Sequence, residues 1–217
     1  MSPASTNIFT LTHGSNLPDL LESNQKWSSK TTEEHPALFR DYNANGQAPH
    51  TLFIGCSDSR YNENCLGVIP GEAFTWKTIA NVVRQDDLTC RATLEFAINV
   101  LKVNKVVVCG HTDCGGINTC LQHKRASLEG GENNHLFQYL QDLDDLYHEH
   151  KADVFAATDD VKTQSRLLSK LNVERQVSKL LAIDTVKSAL ARGEIQVYGL
   201  LYDVATGFVE QVSETTA

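Results

Sequence analysis

Two short apolar runs, Thr51-Leu-Phe-Ile-Gly55 and Lys105-Val-Val-Val-Cys109, most restrict what this chain can fold into. Each is strand-sized and reads as a strand buried in a sheet rather than laid on its surface. Both end abruptly in chemistry-bearing residues, Cys56-Ser-Asp-Ser-Arg60 and Gly110-His111. Between them, residues 88–103 place apolar groups at Leu88, Ala92, Phe96, Val100 and Val103, an imperfect helical spacing. Strand, helix, strand is the pattern of a parallel sheet, which points to an α/β fold.

The rest of the chain extends that pattern. Ala73–Lys77 follows the turn-like Pro70-Gly71 and reads as another extended stretch; Ile195–Val204 and Phe208–Val212 read as closing strands around Ala205-Thr-Gly207. Helical spacing is expected from Leu17 to Tyr42, just after Gly115-Gly116, and across Leu136, Leu140, Leu143 and Tyr147. A further helical stretch, Gln164–Arg192, is expected to restart at Asn172 and to stop at Gly193. Residues 1–16, rich in Ser, Thr and Asn, read as a frayed arm. With 217 residues and neither repeat nor long linker, the expectation is one α/β domain over 1–217, residues 1–40 forming an N-terminal helical arm.

Composition narrows the function classes. Hydrophobic residues make up 41% and charged residues 21%, as in an ordinary soluble globular protein. No apolar run approaches the roughly 18 residues of a membrane span. There are 19 basic against 27 acidic residues and no run of Lys or Arg, so neither nucleic acid nor an anionic membrane is an expected partner. Six cysteines are too sparse for a disulfide scaffold, and no leader pattern precedes Arg40, the first arginine. A reducing, cytoplasmic location is expected. Cys90 and Cys109 read as small buried hydrophobes, and Cys65 and Cys120 lie nearer loops.

Cys56 directly follows the first apolar run, and His111 and Cys114 directly follow the second. Ligand sites in open parallel sheets form at the carboxyl ends of strands, where loops far apart in sequence meet. Two thiolates and one imidazole make a three-ligand zinc set with a fourth position open, the arrangement of a catalytic rather than a structural zinc. Taken singly, His-x-x-Cys also fits a loop histidine beside a buried thiol, and Cys-x-Asp-x-Arg also fits a strand end with a surface ion pair. Placement after two strands joins them into one candidate site.

Gly55-Cys56-Ser-Asp58-Ser-Arg60 followed by Cys109-Gly-His111-Thr-Asp-Cys114-Gly-Gly116 resembles the zinc signature of the β-class carbonic anhydrases. The resemblance runs through Pro70–Phe74, Ile79-Ala-Asn81, Ala92–Leu101 and Val197–Tyr202, about residues 35–210. Phe74-Thr-Trp-Lys77 and Gly110–Gly116 are most similar to fungal members. The resemblance implies a mainly parallel sheet flanked by helices, in a homo-oligomer, dimer or tetramer, with the N-terminal arm packed on a partner subunit. It implies one Zn²⁺ per chain on Cys56, His111 and Cys114, and reversible hydration of carbon dioxide to bicarbonate by attack of a zinc-bound hydroxide. Asp58 would orient that hydroxide, and Arg60 would hold Asp58 ionised and off the metal. In a closed state of such enzymes the residue at Asp58 becomes the fourth zinc ligand. Gln47, Phe74, Ile79, Phe96 and Gly115 match the substrate pocket, part of it shared with the neighbouring subunit. Phe53, Lys77 and Tyr202 stand where bicarbonate-regulated members carry a Trp–Arg–Tyr trio, so that second site is expected to be impaired and the enzyme open at neutral pH. Relatives that hydrolyse carbon disulfide or carbonyl sulfide reuse the same site. A non-catalytic zinc scaffold would carry four protein ligands, and a thiol redox module would carry a Cys-x-x-Cys pair.

Overall fold

The computed structural model describes residues 8–215, and within it the two apolar runs are adjacent central strands. β1 (Thr51–Cys56) pairs in parallel with β3 (Lys105–His111), Thr51 opposite Lys105 and Gly55 opposite Cys109. β2 (Ala73–Thr78) lies outside β1, β4 (Gln196–Tyr202) lies outside β3, and both pairings are parallel. β5 (Val209–Thr215) closes the sheet antiparallel to β4, with a register shift at Gly199/Leu200. The order β2-β1-β3-β4-β5 means that the chain leaves β1 in one direction and returns on its other side at β3. The ends of β1 and β3 therefore flank a topological switch point, where crossover loops diverge and leave a crevice.

Period-two alternation sends each strand's side chains to two separate cores. Leu52, Ile54, Val106, Val108, Val197 and Leu201 pack on one face; Phe53, Val107, Cys109 and Leu200 pack on the other. The first face is covered by α2 (Leu88–Glu95), α6 (Val161–Leu181) and α7 (Asp184–Ala191) through residues such as Leu94, Val177, Leu180 and Val186. The second is covered by α3 (Gly115–Leu121) and α5 (Gln141–Ala157) through Ile117, Leu143 and Leu146. α6 sits close to the sheet because two strand positions lack a side chain. A Cβ on Gly110 would lie 2.6 Å from Val173 Cγ2, and one on Gly199 would lie 2.9 Å from Val173 Cγ1.

Several helices end elsewhere than the spacing predicts. The 88–103 helix is α-helical only to Glu95 and then widens into a π turn, Phe96–Val100. The Leu136–Tyr147 face is shared by two helices, α4 (Asn134–Tyr139) and α5, which meet at Leu140; Leu140, Leu143 and Tyr147 are nevertheless all buried. α6 runs straight through Asn172, whose amide has a buried partner, and the break falls at Ala182-Ile183. Cys120 is fully buried in α3 rather than near a loop.

The chain divides into two units, one ending at Gln47 and one beginning at Ala48, and the entire sheet belongs to the second. In the first, α1 (Leu17–Glu34) opens on a capping box between Asn16 and Asp19. It stops before Pro36, short of the expected Tyr42, because proline disfavours helical backbone at the residue before it, here His35. Leu38–Tyr42 forms a separate π turn, and Trp27 meets Phe39 edge-on at 5.8 Å. Residues 1–7 of the expected arm lie outside the described residues. No helix among the described residues is long and apolar enough to cross a membrane.

Candidate metal centre at the ends of β1 and β3

Cys56 is the last residue of β1, His111 the last of β3, and Cys114 the residue that caps α3. Parallel pairing sets the first two side by side, and the short Thr112-Asp113 turn brings the third back towards them. The ligand atoms of all three lie within 4.8 Å of one another, and all three residues are buried. The imidazole is already oriented. His111 Nδ1 lies 2.9 Å from the Thr112 carbonyl, so it carries the proton and leaves the Nε2 lone pair free. That Nε2 is buried and has no hydrogen-bond partner, which is costly for a polar atom unless something else binds it.

The two neighbouring sulfurs are pushed in opposite directions. The Cys114 thiol beside it pulls Cys56 down to about 4, against the upward push of burial and with help from His111. The adjoining Cys56 sulfur in turn holds Cys114 well above the usual thiol range. A divalent cation would release the remaining proton and satisfy both sulfurs and the orphaned nitrogen together. The donor set fits zinc, with two soft sulfurs, one imidazole nitrogen and a fourth position left over.

Backbone contacts fix the sulfur ligands. Ala80 N–H donates to Cys56 Sγ at 3.2 Å, which requires Ala80 and Asn81 to adopt left-handed backbone (φ 53° and 51°). α6 holds that kink: Asn172 Nδ2 donates to the Ala80 carbonyl at 3.0 Å, and Gln176 accepts from Val83 N–H at 2.9 Å. Cys56 N–H donates to Tyr61 Oη at 2.6 Å, and that hydroxyl donates to the Cys109 carbonyl at 2.7 Å. One phenol thus ties the end of β1 to β3.

Beside the three ligands stands an ion pair. Arg60 grips Asp58 with two parallel bonds, Nε to Oδ1 at 3.0 Å and Nη2 to Oδ2 at 2.8 Å, and its backbone N–H adds a third at 2.9 Å. The guanidinium bonds hold the Asp58 carboxyl down at about 2. Asp58 Oδ2 also lies 3.8 Å from His111 Nε2, so the carboxylate borders the metal position.

A carbonic anhydrase family profile matches residues 51–209, which span both ligand-bearing strand ends. The chain belongs to the carbonic anhydrase family. It is 55% identical to a carbonic anhydrase of Saccharomyces cerevisiae, over 98% of this chain and 96% of that one. It is 40% identical to a carbonic anhydrase of Candida albicans, over 94% of this chain and 70% of that one. Among solved structures, it resembles one of two tetrameric β-carbonic anhydrases from the ascomycete Sordaria macrospora. There the TM-score is 0.81 at 33% identity, covering 91% of this chain and 97% of the other. This carbonic anhydrase is thus a β-class, fungal-type enzyme of carbon dioxide hydration, and its cofactor is zinc.

The remaining positions singled out in the sequence fall in different places. Ile79 helps line a cavity of about 310 Å³ beside the Cys56 end of β1, together with Ser57, Trp76, Thr78, Arg84 and Tyr139. Phe74 and Phe96 do not line it; their rings pack on each other at 5.7 Å, tilted by 44°. Gly115 is exposed at the first turn of α3, and Gln47 is exposed at the end of the first unit. Phe53, Lys77 and Tyr202 converge on Tyr61. Phe53 meets it edge-on at 6.2 Å, Tyr202 stacks on it at 5.3 Å, and Lys77 Nζ donates to its carbonyl at 2.8 Å.

The sequence reading missed Tyr61, Asp113 and the α6 amides Asn172 and Gln176. Asp113 lies between two ligands in left-handed backbone (φ 55°), which Asp tolerates better than most residues. An aspartate in so short a strand-to-helix turn is the one signal that could have marked it.

Proposed function

We propose that the chain hydrates carbon dioxide reversibly at a zinc held by Cys56, His111 and Cys114, with Asp58 and Arg60 as the residues that set up the attack. The observation that carries this reading is the convergence of three ligand atoms within 4.8 Å, bordered by an ion-paired carboxylate 3.8 Å from the imidazole nitrogen. Bound zinc supplies a Lewis acid that makes a water nucleophilic near neutral pH.

The chain's own residues do the rest. Held near pKa 2, Asp58 is a hydrogen-bond acceptor at every working pH and too weak a base to keep a proton. Its role is to accept the O–H of the attacking water and turn a lone pair towards the carbon. Arg60 keeps that carboxylate charged, aimed and engaged away from the metal, which supports an enzyme open at neutral pH. Ile79, Trp76 and Val82 give the adjoining cavity an apolar wall suited to carbon dioxide, with Arg84 and Asp87 at its charged edge.

The finer expectations are part of the same proposal. Leu17, Leu20, Leu21 and Trp27 of α1 are each about half exposed or more, which supports packing of the arm on a second copy in a dimer or tetramer. Two thiolate ligands that must stay reduced support a reducing, cytoplasmic setting.

The test is stopped-flow carbon dioxide hydration by zinc-quantified protein from about pH 6.5 to 9. Turnover already present near neutrality is expected. One zinc per chain with no turnover at any pH would overturn the reading.

A further inference from the structure

Arg60 engages two carboxylate residues that come from two different loops. Beyond its contacts to Asp58, its Nη1 donates to Asp113 Oδ2 at 2.9 Å and its Nη2 donates to the Asp113 carbonyl at 2.9 Å. The donors do not compete for acceptors. Nε and one Nη2 hydrogen serve Asp58, while Nη1 and the other Nη2 hydrogen serve Asp113, a division that only a rigid five-donor fork permits.

Asp113 is itself held. Asn118 Nδ2 donates to its Oδ1 at 2.8 Å, and Ser165 Oγ donates to Asn118 Oδ1 at 2.6 Å. Ser165 is 3% exposed on α6, and its own carbonyl accepts from Ser169 Oγ at 2.8 Å. The line of contacts therefore runs from a buried serine of α6, through Asn118 and Asp113, to the guanidinium and on to Asp58.

We propose that Asp113, braced by Asn118 and Ser165, is a positioning residue for the hydration reaction: it fixes Arg60, and through Arg60 it keeps the Asp58 carboxylate off the metal. The proposal rests on the zinc reading above. The reason a brace is needed is geometric. Asp58 Oδ2 accepts from Arg60 at 2.8 Å while lying 3.8 Å from His111 Nε2, so the same oxygen is within reach of both the guanidinium and the cation. A guanidinium free to swing away would release Asp58 to the metal and close the position that substrate chemistry needs. The Arg60 and Asp113 side chains are 43% and 61% exposed, so their pairing adds little to stability, and its effect is read in turnover.

The test uses D113G in the zinc-loaded full chain. Glycine adopts φ 55° without strain, so the variant removes the side chain while sparing the turn. Zinc should stay at one per chain, and kcat/KM should fall about tenfold. The fall should vanish when the same change is made in an R60A background, since both act through one contact. In the cobalt-substituted protein, azide should perturb the visible spectrum of D113G only at about tenfold higher concentration than it does the wild type. N118A should show a smaller loss of the same kind, about fivefold.

Wild-type turnover and wild-type azide affinity in D113G would overturn the proposal, as would an equal loss with and without Arg60. If D113G sheds zinc, N118A decides. A loss confined to the Arg60 background supports the brace, and no loss, or one independent of Arg60, overturns it. An inactive but zinc-loaded wild type would instead sink the zinc-enzyme reading, so the two failures are distinguishable.

Discussion

The turn leaving β1 carries its chemistry in side chains, whereas the turn leaving β3 places its ligands largely through backbone geometry. After Cys56 come a carboxylate, a guanidinium and a phenol: Asp58 pairs with Arg60 inside the turn, while Arg60 and Tyr61 reach through their side chains to Asp113 and Cys109. After His111 main-chain contacts set the path of the chain, and the Asp113 side chain reaches across to Arg60. Thr112 N–H donates to the Tyr202 carbonyl at 2.8 Å, and the Thr112 carbonyl fixes the imidazole tautomer. Asp113 turns through left-handed backbone so that Cys114 returns to the ligand set. The difference teaches a division of labour. The β3 turn presents two of the three ligands in a fixed frame, and the β1 turn adds the groups that act on substrate water.

Ligand substitutions break the comparison most severely, because three ligands leave no redundancy. C56S, C114S and H111A should each lose zinc and carbon dioxide hydration together, read by metal analysis and stopped flow on the same sample. Zinc kept in C56S would show that the β3 turn alone suffices.

R60A separates the two roles. It should keep zinc and lose about 100-fold in kcat/KM, because the frame survives while the oriented carboxylate does not. Full activity in R60A would remove the β1 side chains from the account.

These two predictions concern what the sequence already displayed. The ligands and the Asp58–Arg60 pair were legible because each lies within a few residues of a buried strand's end, and strand ends are readable from apolar runs. The parallel sheet was legible for the same reason. What escaped were contacts that cross between distant segments. Tyr61 to Cys109, Arg60 to Asp113, and Asn172 to Ala80 each join residues about 50 to 90 positions apart, and no local pattern records such a pairing. Helix ends escaped for another reason. Leu140 and Ala182 sit at breaks set by packing, where apolar periodicity continues across the junction. Pro36 was a visible stop signal that the spacing of Leu38 and Phe39 overrode in the reading.

Y61F tests the link between the two strands with a smaller effect. Removing the hydroxyl leaves the buried Cys56 N–H and Cys109 carbonyl each without this partner, a loss of about 2 kcal/mol. For a chain of this length that lowers the thermal midpoint by about 4–8 °C. An unchanged midpoint would mean that the phenol does not tie β1 to β3.

The smallest effect expected is that of pH on the Asp58–Arg60 pair. Its pKa is depressed to about 2, so the pair is fully present above the ordinary carboxylate pKa of about 3.9 and is lost as pH falls through about 2. Carbon-13 NMR of the Asp58 carboxylate should therefore show it still mostly ionised at about pH 3. A titration step at about 3.9 would show that Arg60 does not hold it.

Zinc K-edge absorption spectroscopy of the wild-type protein near neutral pH tests the central claim most directly. The account predicts two sulfurs near 2.3 Å, one imidazole nitrogen near 2.0 Å and a single further oxygen, at about one zinc per chain. Four sulfur or nitrogen ligands would contradict it, because the site would then be closed and structural, with nothing left for Asp58 and Arg60 to orient.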